Sequence, residues 1–119
     1  MIGNGVAGVE AALTVRAREP RASITLVSEE SDHFFSRTAL MYVLSGQLSH
    51  ACTEPYERDL YARERFERVR SRALGVDTAG KKVKLTGGEL AYDRLLVACG
   101  SRPRPRPGRG ATSPAWAPS

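Results

Sequence analysis

Three glycines near the start of the chain, Gly3, Gly5 and Gly8, stand in the spacing G-x-G-x-x-G and open into Val9-Glu10-Ala11-Ala12-Leu13-Thr14-Val15-Arg16. No other feature restricts the fold as much. Gly3 permits a tight turn out of a strand, Gly5 lets the backbone approach a pyrophosphate, and Gly8 lets the following helix pack closely on a sheet. The first helical amides, those of Val6, Ala7 and Gly8, have no carbonyl a turn earlier to bond. They lie at the positive end of the helix dipole and so form a site for phosphate. Small and apolar residues at 8, 11, 12 and 15 give the helix one packing face, and Pro20 closes it. A glycine spacing alone is a weak signal. A good helix directly behind it supplies the context the motif needs.

The next segment strengthens the reading. Ile24-Thr25-Leu26-Val27 is short, apolar and β-branched, as a buried parallel strand requires. Ser28-Glu29-Glu30 follows it. A carboxylate about 20 residues beyond the glycines accepts hydrogen bonds from a ribose. Glu29, 21 positions past Gly8, is the first choice, and Glu30 the alternative. An acid at this position disfavours a 2′-phosphate.

Ser36 is read as the N-cap of a helix over Thr38–Leu44 that stops at Gly46. A third helix is expected around Tyr56–Arg65, then a short strand at Phe66–Arg70. The period then changes. Ala73–Asp77, Lys82–Thr86 and Glu89–Tyr92 read as three short strands with turns at Thr78-Ala79-Gly80 and Gly87-Gly88. Leu95-Leu96-Val97-Ala98 is again a continuous apolar run, a return to the central sheet that ends in Cys99-Gly100. From 103 to 119 the composition is Arg, Pro, Gly, Ala and Ser, which reads as a disordered tail.

Composition limits the function classes. The 119 residues hold one small domain, and their hydrophobic fraction of 41% is that of a globular chain. No stretch approaches the ~20 apolar residues of a membrane span, and Met1-Ile2 before the glycines is not a signal peptide. The net charge of +5 is local: residues 1–100 hold 14 Lys and Arg against 13 Asp and Glu, and the excess comes from Arg102, Arg104, Arg106 and Arg109. A short basic tail suits weak, salt-sensitive contact, so no specific nucleic-acid partner is expected. Cys52 and Cys99 form no metal or redox spacing and read as reduced thiols of a cytoplasmic protein, Cys99 as a small buried hydrophobe. His33 and His50 lack partners at ligand spacing. The Arg/Glu alternation over 57–72 reads as a solvated face.

A plain Rossmann half would continue strand–helix–strand. Here a meander intervenes and leads into Tyr92-Asp93-Arg94-Leu95-Leu96-Val97-Ala98-Cys99-Gly100. That order resembles the FAD domain of the pyridine nucleotide–disulfide oxidoreductase superfamily, in which a Tyr-Asp strand leads into an Ala-Thr-Gly turn near the flavin. Cys99 stands in place of the threonine. Phe35-Ser36-Arg37-Thr38-Ala39-Leu40 is similar to the segment of ferredoxin reductases and nitrite reductase large subunits where an arginine lies against FAD. Tyr42 stands where many of those proteins have lysine. The resemblance covers residues 1 to about 103 and implies FAD as cofactor. It assigns Arg37 to the flavin nucleotide, Ala98 and Gly100 to the turn near the flavin, and the Ala73 backbone to the adenine. No close cysteine pair is present, which sets aside dithiol exchange.

Only Met1-Ile2 precede Gly3, where such a unit has four or five apolar residues, and a second glycine-rich turn for NAD(P)H does not occur. The fold expected is α/β: a partial Rossmann-type FAD-binding domain over 1–102 with an inserted three-stranded meander, followed by the tail over 103–119. The function expected is that of an FAD-binding fragment of an NAD(P)H-dependent flavoprotein oxidoreductase, with no catalytic side chain and no metal. NAD(P)H is expected as a partner only of an intact relative. The alternative is a non-catalytic remnant that binds nucleotide weakly or fills a structural role.

Overall fold

A computed structural model describes residues 1–101. The tail expected over 103–119 lies outside the described residues. The element order is helix α1 (Val6–Arg18), strand β1 (Ile24–Ser28), helix α2 (Leu40–Leu44), a 3-10 turn (His50–Thr53), helix α3 (Leu60–Arg63), and strands β2 (Phe66–Arg70), β3 (Ala73–Asp77), β4 (Lys82–Leu85) and β5 (Gly88–Ala91). The class is α/β, with a parallel sheet and a separate antiparallel meander, as the sequence implies.

The parallel sheet is built around the glycine turn. β1 pairs with β2 in register, Ile24 opposite Phe66 and Ser28 opposite Arg70. On the other side of β1, Ile2 bridges Val27, and Ile2 also bridges Val97. Met1–Gly3 therefore lies between β1 and the 96–98 run. The Gly3 amide donates to the Val27 carbonyl at 2.8 Å, and the Ala98 amide donates to the Ile2 carbonyl at 2.7 Å. The apolar run over Leu95–Ala98 thus returns to the sheet as expected. As its outer member it stays open, with Leu96 40% and Val97 58% exposed.

α1 covers this sheet. Its buried residues are Gly8, Val9, Ala12 and Arg16, so the packing face is turned from the one predicted at 8, 11, 12 and 15. Val9 and Ala12 are fully buried and join Ile24, Leu26, Phe34, Leu60, Tyr61 and Phe66 in one apolar cluster. Burying each large apolar side chain contributes roughly 1.5–3 kcal/mol. Arg16 sits on the buried face because all three nitrogens of its guanidinium are hydrogen-bonded. It donates to the carbonyls of Glu64 (2.8 Å), Pro20 (2.9 Å), Ala22 (2.7 Å) and Arg65 (3.3 Å). It also lies over the Phe66 ring. A buried cation is tolerated when hydrogen bonds replace its hydration.

The two later helices are shorter than the sequence predicts. α2 starts at Leu40, and its N-cap is Ala39, without a side-chain cap. The Ser36 hydroxyl pairs with Thr38 instead. Gly46, at φ +75°, ends the helix as expected. The helix anticipated over Tyr56–Arg65 contracts to the single turn Leu60–Arg63. Tyr56 is drawn to α1 by a hydrogen bond to Glu10, and Arg65 adopts φ +55°, which no helix accommodates.

β3 pairs with β4 and β4 with β5, both antiparallel, with an irregularity between Ala73 and Gly75. The first turn is closed by the Asp77 carboxylate accepting from the Gly80 amide at 2.9 Å. Ser71 donates to the Ser28 carbonyl at 3.1 Å and so joins the end of the parallel sheet to the meander. Among the described residues no helix is long and apolar enough to cross a membrane.

Candidate nucleotide-binding site

The three glycines do three different things, and their surroundings distinguish them. Gly3 has φ +114°, and a methyl group on it would lie 2.2 Å from the Ala98 carbonyl oxygen. A methyl on Gly8 would lie 2.1 Å from the Gly3 carbonyl oxygen and 3.8 Å from the Ala98 side chain. Gly3, Gly8 and Ala98 therefore meet at one closely packed point, where helix and sheet touch backbone to backbone. Gly5 is the opposite case: nothing lies within 4 Å of the position its methyl would take. It is the N-cap of α1 in an extended conformation, and no side chain caps the helix. The first backbone bond of α1 runs from the Val9 amide to the Gly5 carbonyl. The amides of Val6, Ala7 and Gly8 precede it, and Val6 and Ala7 are exposed. The space over Gly5 is open and faced by helix-end amides, which fits a pyrophosphate.

The two adjacent glutamates diverge. Glu29 turns to the meander, its Oε2 3.8 Å from Arg72 Nε. It borders an open cleft of about 840 Å³ between the end of β2 and the β4–β5 turn, lined also by Arg70, Ser71, Arg72, Thr86 and Gly87. Ala73 follows Arg72 and begins β3. Glu30 turns the other way and forms an ion pair with Arg37. The Arg37 guanidinium also lies over the Phe35 ring, 5.8 Å from its centroid. Arg37 is 68% exposed, so this pair holds it loosely. Gly100, at φ +72°, turns the chain away after the last sheet bond.

Of the sequence-predicted residues, Gly3, Gly5, Val6, Ala7, Gly8 and Ala98 surround the glycine turn. Glu29 borders the cleft, while Ala73, Arg37 and Gly100 belong to neither group. Cys99 is exposed, not buried as expected. It lies beyond the final ladder bond of the outer run.

Asn4 went unnoticed in the sequence. Its Oδ1 accepts from the Tyr61 hydroxyl at 2.8 Å, and its Nδ2 donates to the Ser31 carbonyl at 3.4 Å. The Tyr61 hydroxyl accepts from the Phe34 amide at 2.9 Å, and burial pushes its pKa above the usual phenol value. The turn is tied by this chain to α3 and to the loop after β1. An amide side chain between two glycines was the only clue. Tyr61 is 57 positions away and gave none. Arg72, one of the solvated run over 57–72 in sequence, pairs with Glu29.

Residues 1–116 match the family described as pyridine nucleotide-disulphide oxidoreductase. The chain belongs to that family. Its members are FAD-dependent oxidoreductases. The terpredoxin reductase of a Pseudomonas species is 31% identical over 107 residues, which is 87% of this chain and 26% of that protein. The biphenyl dioxygenase system ferredoxin–NAD(+) reductase component of Paraburkholderia xenovorans (strain LB400) is 34% identical over 110 residues, again 26% of its length. Among solved structures, the covalent putidaredoxin reductase–putidaredoxin complex superposes with a TM-score of 0.81 at 30% identity, covering 89% of this chain and 26% of that one. The NAD-dependent persulfide reductase from A. fulgidus gives 0.80 at 29% identity, covering 89% and 21%. The chain spans about a quarter of the length of the curated relatives it matches.

Proposed function

We propose that residues 1–102 are the FAD-binding part of an NAD(P)H-dependent flavoprotein oxidoreductase. The observation that carries this reading is the contrast among the glycines. Two are packed against backbone, and the one that faces the helix-end amides is open. In this reading the amides of Val6, Ala7 and Gly8 hold the pyrophosphate, and Gly5 admits it. Glu29 accepts hydrogen bonds from the adenosine ribose, with the Ala73 backbone near the adenine. Arg37 leaves Glu30 for the anionic part of the nucleotide, and Ala98 and Gly100 border the flavin end. When bound, the isoalloxazine supplies the redox chemistry, and the protein supplies binding, orientation and electrostatics. No side chain of this chain is assigned as acid, base or nucleophile.

In this reading the electrons pass from NAD(P)H to a small ferredoxin-type protein in the cytoplasm, a reading supported by relatives named as ferredoxin–NAD(+) reductase components. The chain itself has one glycine turn of the G-x-G-x-x-G kind. Hydride transfer needs donor and acceptor atoms ~3–3.5 Å apart, and a second such turn to hold a nicotinamide is not in this sequence. These 119 residues by themselves are expected to bind FAD without turnover.

Flavin fluorescence titration tests the binding. FAD and ADP should compete for one site, and Glu29→Ala should weaken both while leaving FMN, which lacks the adenosine ribose, unaffected. Failure of FAD and ADP to compete would contradict the reading. Sustained NADH-dependent reduction of ferricyanide above the rate with free FAD would show instead that these residues suffice for turnover.

A further inference from the structure

We propose that Tyr61 is a positioning residue of the nucleotide site, holding the Asn4 side chain off the start of α1 so that the helix-end amides stay free for a ligand. This role rests on the pyrophosphate reading above. It needs no contact between Tyr61 and the nucleotide.

Asn4 stands directly before Gly5, the N-cap of α1. An asparagine side chain readily bonds the backbone amide two residues on, and it is among the strongest caps of a helix start. Here an asparagine lies beside exposed helix-end residues, yet no side chain caps α1. Both polar atoms of the Asn4 amide are engaged elsewhere. Its Oδ1 accepts from the Tyr61 hydroxyl at 2.8 Å, and its Nδ2 donates to the Ser31 carbonyl at 3.4 Å.

Tyr61 sets which end of that amide points where. The Phe34 amide, 2.9 Å from the Tyr61 oxygen, can only donate. The single hydroxyl proton is therefore left for Asn4, and the atom that meets it must be an oxygen. Oδ1 is the atom that would cap the helix, and it is the one held against Tyr61. The longer bond to Ser31 restrains the nitrogen instead. Tyr61 is itself fixed. It is 3% exposed, its ring meets the Phe66 ring edge-on, and the Arg68 guanidinium lies 5.0 Å from its centroid.

Without the hydroxyl, Oδ1 loses its donor. The Val6 amide, two residues on, is the local donor that an asparagine ordinarily takes. A self-capped helix would then spend on Asn4 an amide that a phosphate oxygen needs.

The test uses the whole chain and two readouts, amide hydrogen exchange without ligand and calorimetric titration with ADP. In Tyr61→Phe the Val6 and Ala7 amides should exchange more slowly than in the native chain, and ADP affinity should fall about fivefold. Adding Asn4→Ala should return both amides to native exchange and ADP affinity to within about twofold of native. Asn4→Ala alone should leave ADP affinity within about twofold of native. Tyr56→Phe removes a second tyrosine hydroxyl bonded to α1, through Glu10, and should leave both readouts at native values. A loss of ADP affinity in Tyr61→Phe that Asn4→Ala does not recover would show a merely structural tyrosine and overturn the proposal, as would unchanged exchange at Val6 and Ala7. Either result leaves the nucleotide reading standing. A native chain that binds no ADP overturns that reading and this role with it.

Discussion

The glycine turn and helix α2 are both rich in small or apolar residues, yet they are held in opposite ways. At the turn, Val9, Ala12, Leu26 and Val27 are at most 2% exposed, and three backbone segments meet at Gly3, Gly8 and Ala98. α2 reads Leu40-Met41-Tyr42-Val43-Leu44 and has no buried residue, with Met41 69% and Leu44 89% exposed. Composition is nearly as apolar in the second region, but hydrophobic stabilisation depends on area removed from water. The difference teaches that the glycine turn is specified by contacts within the described chain, whereas α2 is specified by its own turns and by Gly46.

Substitutions can break that contrast. The largest effect is expected at Gly8. Gly8→Val would drive a branched side chain into the Gly3 carbonyl, and neither backbone can yield without moving α1 off the sheet. The loss should be about 3 kcal/mol or more in urea denaturation. Next comes Arg16→Ala, which removes the donor for four carbonyls and should cost about 2–3 kcal/mol. A stable Arg16→Ala variant would show that water replaces the guanidinium and that α1 is not tied through it.

Tyr61→Phe keeps the ring in the cluster but frees the Phe34 amide and Asn4. It should cost about 1–2 kcal/mol, with local loss of amide protection at Phe34 in hydrogen exchange. The smallest effect is expected on α2, where Leu44→Ala or Met41→Ala should change stability by less than ~0.5 kcal/mol. A loss of 2 kcal/mol at Leu44 would mean that this face is covered in solution and would erase the contrast.

Legibility in the sequence follows the same division. Where residue chemistry acts locally, it was readable. Gly80 and Gly87-Gly88 mark the meander, and β3 has the predicted bounds Ala73–Asp77. Gly3 and Gly8 are explained by contacts the motif anticipates. Ser28-Glu29-Glu30 could be placed at a strand end, although choosing between the acids needs the third dimension, because their separation depends on Arg72 and Arg37. Long-range partners were not readable. Periodicity finds Gly8 and Ala12 on the buried face of α1 but misses Val9 and Arg16, because Arg16 depends on the distant carbonyls of Glu64 and Arg65. Tyr56–Arg65 has the charge spacing of a helix, and Arg58 pairs with Glu54 at i,i+4. The chain from Glu54 to Arg58 is not helical, with Tyr56 taken by Glu10, and at the other end Arg65 is left-handed. Cys99 has the composition of a buried site but lies past the edge of the sheet.

The central claim is that the open glycine, Gly5, is the point of entry for a nucleotide pyrophosphate. It is tested most directly by Gly5→Val, measured for stability and for FAD and ADP affinity in the same preparation. No atom stands within 4 Å of the Gly5 methyl position, and its extended backbone accepts a side chain. Urea denaturation should therefore change by less than ~1 kcal/mol. The branched side chain would fill the space over the helix-end amides, so FAD and ADP affinity should each fall at least tenfold, about 1.4 kcal/mol. A folded Gly5→Val chain that binds both nucleotides as tightly as the native chain would contradict the account.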